Sequence, residues 1–216
     1  MTLPINQILL GNCNDYLDIF LQANEIDLIL TDPPYGIPKK SKNRDFYGNN
    51  GHQKLWGKEG DVAIWDILDQ PAINKLVNQS YSKVIIWGGN NYQLPASRCW
   101  FIWDKLQSNY GSDCEMAWTN LNYPQKVFRM SRIDAYVNKA EFKKEHPAQK
   151  PIQLMEWCIG IAKLKPNSLV FDPFCGTGIT CIAAKKLGHR FIGIEQIQKY
   201  YDISIERLKP LLINDL

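Results

Sequence analysis

Short apolar runs recur along the chain, each halted by Gly, Pro, Asn or Asp, and stretches of helical spacing separate several of them. The first run predicts a strand over 5–10, followed by helix-compatible sequence over 15–24. Residues 26–30 are continuously apolar except for Asp27, as in a strand buried on both faces. That run stops at Thr31-Asp32-Pro33-Pro34, where two prolines remove ladder donors. Helical sequence over 66–80 leads to a strand over 84–87, ending in Gly88-Gly89, and another over 99–103. Segments 114–120 and 125–130 read as a further hairpin. Pro151 suits a first helical turn and opens a helix to about residue 163. The C-terminal part reads most plainly: strand 168–171, helix 179–187 closed by Gly188, strand 190–194 and helix 196–208. Strand, glycine turn, helix and strand make a βαβ unit, which implies a parallel sheet with a right-handed crossover. The pattern predicts one α/β domain over 1–216. Trp87, Trp100, Trp103 and Trp118 fall in strand-like sequence and are expected to fill its core.

Composition narrows the class. With 216 residues, 45% of them apolar, the chain can fill one sizeable core and is too short for two generous domains. No apolar run approaches the roughly 18–20 residues that cross a bilayer. The first residues lack the basic-then-apolar order of a secretory signal. The six cysteines include no CxxC pair and only three histidines accompany them, so no metal site is expected. Reduced thiols in a cytoplasm are the plain reading.

Net charge is only +3, but it is unevenly spread. The glycine-rich stretch 36–60 carries Lys39, Lys40, Lys42, Arg44, Lys54 and Lys58 against Asp45 and Glu59. Residues 122–144 carry Lys126, Arg129, Arg132, Lys139, Lys143 and Lys144 against Asp134 and Glu141. Each stretch has a balance of +4 and contains aromatics, so the remainder is acidic. A polyanion partner fits this distribution, and a loop as long as 36–60 inside a compact domain is usually functional.

Two motifs carry chemistry. Asp172-Pro173-Phe174-Cys175-Gly176-Thr177-Gly178 lies between a strand and a helix, where glycines let backbone approach a ligand and helix amides favour an anionic group. Glu195 ends the next strand, the position from which an acid binds ribose hydroxyls in nucleotide-type folds. A dinucleotide turn would need a third glycine at the position held by Cys181, so a nucleoside cofactor is the better reading. The second motif, Thr31-Asp32-Pro33-Pro34-Tyr35-Gly36, follows a buried strand. It offers a carboxylate, a stiffened Pro33 carbonyl and the Tyr35 ring, a set suited to a planar substrate bearing an exocyclic amine. Two acceptors on the amine hydrogens leave the nitrogen lone pair aimed at an electrophile.

With both motifs in hand, the sequence resembles the β-group of amino-directed, S-adenosyl-L-methionine-dependent DNA methyltransferases, small phage-type members included. The DPPY tetrapeptide precedes the FxGxG turn, and His146-Pro147-Ala148-Gln149-Lys150-Pro151 sits just before the cofactor strand. The resemblance implies a circularly permuted, Rossmann-like methyltransferase fold. It implies that Asp172, Phe174, Cys175, Gly176, Thr177 and Gly178 line the methionine side of the cofactor and that Glu195 holds its ribose. His146 and Lys150 would reach its polar end, Asp32 would touch both cofactor and substrate, and Asn12 and Cys13 would face its adenine. Similar sequences commonly carry Gly-Asp where this chain has Gly11-Asn12. Asp113 and Glu115 would lie beside the target pocket.

The reading is therefore a DNA methyltransferase acting on N6 of a flipped-out adenine. Asp32, Pro33, Pro34 and Tyr35 are its catalytic residues. Lys39, Lys40, Lys42, Arg44, Lys126, Arg129 and Arg132 are its DNA contacts. Target recognition is assigned to a small region around 104–145, which leaves room for a short recognition site or help from a second copy in a homodimer. The alternatives are N4-cytosine methylation and a DNA-binding protein with a vestigial cofactor pocket.

Overall fold

The computed structural model describes residues 2–36, 67–107 and 112–213. Eight strands form one sheet: β1 (Gln7–Leu10), β2 (Leu28–Thr31), β3 (Lys83–Trp87), β4 (Trp100–Asp104), β5 (Cys114–Thr119), β6 (Lys126–Arg129), β7 (Leu169–Asp172) and β8 (Arg190–Glu195). Their spatial order is β1-β8-β7-β2-β3-β5-β4-β6. Every strand but β5 points the same way, since β5 alone pairs antiparallel, with β3 on one side and β4 on the other. The predicted hairpin between the segments around β5 and β6 is not formed. Both edges of β5 are already taken, so β6 docks parallel on the far side of β4, pairing Lys126 with Phe101 and Arg129 with Asp104.

Alternation along the central strands divides the core between the two faces of the sheet. Leu28, Leu30, Ile85, Trp87, Val170 and Phe191 face α3 (Ile152–Ala162), α4 (Ile179–Lys186) and the buried Leu208 of α5 (Gln198–Ile213). Ile29, Val84, Ile86, Leu169, Phe171 and Ile192 face α1 (Leu17–Gln22) and α2 (Gln70–Val77). Trp87, Trp103 and Trp118 are buried as expected, while Trp100 is only partly covered. All six cysteines are free thiols. Among the described residues no helix is long and apolar enough to cross a membrane.

The helix that follows β7 covers one face, whereas the helices before and after β2 cover the other. Neighbouring strands whose crossovers leave on opposite faces open a crevice beyond their carboxyl ends. The ends of β7 and β2 are Asp172 and Thr31, so the two sequence motifs meet there. Because β5 runs the other way, its beginning, not its end, reaches this edge.

Phe171 is the pivot of the core on the α1 and α2 face: it is fully buried, sits edge-on to Phe20 at 5.9 Å, and immediately precedes Asp172. Phe171→Ala should destabilise the fold by about 3–5 kcal/mol, the range for emptying a buried aromatic site. Urea denaturation of both proteins checks this, and a loss below about 1 kcal/mol would mean the site collapses around the smaller side chain.

Candidate active site

At the cofactor end, the chain leaves β7 at Asp172 and turns through two glycines in the left-handed region, Gly176 (φ +54°) and Gly178 (φ +80°). The turn is tied to β8 by the Cys175 amide, which donates to the Ile194 carbonyl at 2.9 Å. A side chain at Gly178 would meet Ser204 Cβ at 2.9 Å, while one at Gly176 would meet nothing within 4 Å. The turn is thus packed from behind and open in front. Glu195 is buried beneath it, accepting from the Gly176 amide at 2.9 Å and the Ile197 amide at 2.7 Å. Asn12 caps the short 3-10 turn Cys13–Asp15, and the Gly11 amide donates to the Glu195 carbonyl. The residues assigned to adenine and to ribose therefore stand at the ends of adjacent strands.

The segment before α3 serves both halves of the crevice. Gln149 Oε1 accepts from Thr177 Oγ1 at 3.0 Å, and Arg207 of α5 donates to the same oxygen and to the Thr177 carbonyl, both at 3.3 Å. His146 lies edge-on to Tyr200, 4.4 Å between ring centres, and its Nδ1 accepts from the Ala148 amide. Lys150, which was assigned to the cofactor, turns instead to Asp32.

At the substrate end, Lys150 is 5% exposed and its Nζ lies 2.5 Å from Asp32 Oδ2, 2.9 Å from the Tyr35 hydroxyl and 3.0 Å from Glu115 Oε2. Tyr35 donates its hydroxyl proton to Asp32 Oδ1 at 2.6 Å. Glu115 is held from its other side by Lys105 Nζ at 2.9 Å, which also donates to the Ser112 carbonyl. Tyr92 donates to the Pro34 carbonyl, fixing the proline pair. The Tyr35 ring lies directly on Gly88, whose φ is +65° and where a Cβ would fall 1.9 Å from Tyr35 Cε1. The two ends are joined by Thr31 Oγ1, which donates to Asp172 Oδ1 at 2.6 Å.

Burial and charge set the protonation of these groups. Burial pushes the Glu195 carboxyl up to about 7, against the pull of its amide donors. Burial likewise raises Asp172 to about 6, despite its bonds from Thr31 and Thr180. Asp32 is raised by burial while Lys150 draws it back. Burial would lift Glu115 too, but Lys150 and Lys105 overcome it and hold that carboxyl down at about 2. Lys150 stays an ammonium because Asp32 and Glu115 outweigh the cost of its burial. Burial and neighbouring lysines lower His146 to about 3, so it is neutral.

The structure thus brings together Asn12, Cys13, Asp172, Phe174, Cys175, Gly176, Thr177, Gly178 and Glu195 on one side of the crevice, and Asp32, Pro33, Pro34 and Tyr35 on the other. Arg129 lies at the crevice end of β6, 3.4 Å from Asp104, and Arg132 follows it. Lys126 begins that strand and so sits at the opposite edge of the sheet, away from the site. Lys39, Lys40, Lys42 and Arg44 lie outside the described residues. Asp113 is exposed, whereas Glu115 enters the pocket. Sequence reasoning missed Lys105, Gln149 and the seat that Gly88 gives Tyr35. The Gly88-Gly89 pair at a strand end was the available signal for the last of these.

An open glycine turn with a carboxylate under it, and beside it an Asp-Pro-Pro-Tyr pocket at the switch point of a mostly parallel sheet, define a Rossmann-like methyltransferase. A family model described as DNA methylase matches residues 72–206, more than half the chain, and the chain belongs to this N6/N4 DNA methylase family. It is similar to the type II methyltransferase M.HinfI of Haemophilus influenzae, with 28% identity spanning 97% of this chain and 70% of that one. Similarity to the type II methyltransferase M2.MboI of Moraxella bovis is also 28%, over 95% of this chain and 89% of that protein. Among solved structures, the M1.HpyAVI–SAM complex superposes with a TM-score of 0.56 at 24% identity, covering 94% of this chain and 99% of the other. The cytosine-N4-specific PvuII DNA methyltransferase gives 0.57 at 15%, covering 95% and 90%. The protein is a DNA methyltransferase, and S-adenosyl-L-methionine is the methyl donor of its class. The residues present fit that donor, with open space above Gly176 and a buried acid beside it.

The raised Glu195 has a measurable consequence. Its folded value, about 7, lies above the ordinary 4.5, so the folded chain holds a proton that the unfolded chain releases. Its contribution to stability is complete below about pH 4.5 and is lost as pH rises through about 7. Glu195→Gln removes this dependence. Between pH 5 and 8 the variant should therefore gain on the wild type by up to about 3 kcal/mol. Denaturant midpoints measured across that range check the sign, and a difference independent of pH would show that Glu195 is already ionised in the folded chain.

Proposed function

We propose that the chain methylates N6 of an adenine that has been turned out of duplex DNA into the Asp32-Pro33-Pro34-Tyr35 pocket. One observation carries the reading: the Asp32 carboxylate, at the end of β2, is joined through Thr31 and Asp172 to the glycine turn that fits the methyl donor. The donor supplies a sulfonium-bound methyl group open to direct attack by nitrogen. Asp32 accepts one amine hydrogen and the Pro33 carbonyl the other, so the nitrogen lone pair faces the methyl carbon. As positive charge grows on nitrogen, Asp32 draws off the proton. Tyr35, seated on Gly88, provides the face on which the extruded base stacks, in exchange for the few kcal/mol spent on unstacking it. Glu195 takes the two ribose hydroxyls, and Phe174 and Thr177 line the methionine side. Arg129 and Arg132, at the end of the outermost strand on the same edge of the sheet as the crevice, contact phosphates, with the basic stretch 36–60.

Adenine is favoured over cytosine because the motif opens with Asp; the resemblance associates an opening Ser more often with cytosine enzymes. The second reading, N4-cytosine methylation, keeps support from the likeness of fold to the cytosine-N4-specific PvuII enzyme. Nucleoside analysis of DNA labelled from tritiated S-adenosyl-L-methionine separates the two: tritium in N6-methyladenine supports the proposal, and tritium in N4-methylcytosine overturns it. In the same assay Asp32→Ala should lower turnover by about 100-fold or more while leaving DNA affinity nearly unchanged, because the lost acceptor acts chiefly in the transition state. Turnover above about a tenth of wild type would remove Asp32 from this role.

A further inference from the structure

Each oxygen of the carboxylate that must receive the target amine already accepts a hydrogen bond from the protein itself. Tyr35 donates to Asp32 Oδ1 and Lys150 to Oδ2. The Lys150 ammonium donates to Asp32 and to the Tyr35 hydroxyl, and lies 3.0 Å from Glu115 Oε2 as an ion pair. An amine approaching Asp32 competes with an ammonium for the same oxygen. Worse for the reaction, a cation that close opposes the positive charge that develops on the amine nitrogen. Lys150 has to leave Asp32 for methylation to proceed.

Its ways out are few. The side chain is 5% exposed, so the ammonium cannot simply retire into water, where it would be solvated. The Tyr136 hydroxyl is committed to the Gln149 carbonyl at 2.6 Å. Among the described residues Glu115 is the other anion beside it, already 3.0 Å away, and a small rotation of the lysine end breaks two contacts while keeping that one. Glu115 is also anchored: Lys105, buried and placed over the Trp103 ring, grips its second oxygen and prevents it from following Lys150 toward Asp32. Two cations and two anions leave this cluster neutral, so the move costs no net charge transfer.

We infer that Glu115 is a positioning residue, a second seat for the Lys150 ammonium, which rests on Asp32 while the pocket is empty and withdraws to Glu115 when the target amine enters. The inference rests on the reading above that an exocyclic amine is methylated at Asp32, and it holds for adenine or cytosine alike. Lys150 is then a placeholder for the amine: it satisfies the buried carboxylate between turnovers and hands it over.

The test compares single-turnover methylation of plasmid DNA by wild type, Glu115→Gln, Lys150→Met and the double variant Glu115→Gln/Lys150→Met, with S-adenosyl-L-methionine affinity measured by calorimetry. Glu115→Gln traps the ammonium on Asp32 and should slow methylation by about 100-fold, a loss within the span of a general-base contribution, with cofactor affinity changed less than about threefold. Adding Lys150→Met frees Asp32 and should restore at least about tenfold of that loss. A merely structural ion pair predicts the reverse, with the double variant no faster than Glu115→Gln, and that result overturns the inference. Should Glu115→Gln fail to fold, the comparison is made in Lys105→Met/Glu115→Gln, which keeps the cluster neutral, with and without Lys150→Met. If the wild type labels neither base, the amine-methylation reading fails and the inference with it. If the wild type labels DNA and the added Lys150→Met restores nothing, the inference alone fails.

Discussion

The hydrogen bond from Thr31 to Asp172 is the constraint on which the rest of the site depends. It spans the ends of β2 and β7, the neighbouring strands whose helices leave on opposite faces, and it does so inside the protein, with both residues buried. A carboxylate there is costly to desolvate, which is why Asp172 sits at about 6. Three donors offset that cost: Thr31, Thr180 and the Phe174 amide. The last of these starts the glycine turn. One buried acid therefore sets the distance between the strand end that carries Asp32 and the loop that fits the methyl donor. In-line methyl transfer is sensitive to such a distance, because misplacement by about 1 Å can cost a hundredfold in rate.

The second organising feature is the packing of two buried lysines, Lys105 and Lys150, against the half-buried carboxylates of Asp32 and Glu115. Burying ion pairs is weak evidence of stabilisation, since desolvation often exceeds the Coulombic gain and an apolar set of similar volume would do as well. What the arrangement does provide is an ammonium with two possible partners, and that follows from one topological exception. Strand β5 runs against its neighbours, so its first residues, and Glu115 with them, arrive at the edge where the parallel strands end. A parallel β5 would have carried Glu115 to the far side.

Much of this was legible beforehand because it rests on local signals. Continuous apolar runs marked β2 and β7, two prolines marked the stop after β2, and strand, glycine turn, helix, strand and acid marked the cofactor end. Asp32, Gly176, Gly178 and Glu195 were all singled out by such patterns, and the fold brings them to one edge of the sheet. The failures share a different cause. The segments at β5 and β6 look like hairpin partners when only their separation is considered, yet pairing is decided by which strand edges are free, and β4 and β3 had taken both edges of β5. Lys105 carries no local signature either: an isolated lysine after a tryptophan strand is an ordinary surface residue until the fold buries it 2.9 Å from Glu115, which only the resemblance had placed beside the target pocket. The lean toward the cofactor for Lys150 had the same weakness, since its destination is a residue 118 positions away.

The segment containing Gln149 and Lys150 shows how a short sequence can bind the two halves of the crevice together. Proline at 151 disfavours helical backbone at Lys150, and Pro151 itself is extended, with φ −67° and ψ 143°. In extended chain, successive side chains leave on opposite sides. Gln149, whose amide closes a turn onto the His146 carbonyl, goes to Thr177 of the glycine turn and Lys150 to Asp32 of the substrate pocket, and both are buried. The helix α3 begins immediately afterwards and fixes the position of both against the sheet. Had residue 151 allowed the helix to start one turn earlier, positions 149 and 150 would have projected about 100° apart around a helix axis, as its 3.6-residue period requires, rather than to opposite sides. The proline thus does more than open a helix. It holds open the geometry that lets adjacent residues address cofactor and substrate at once.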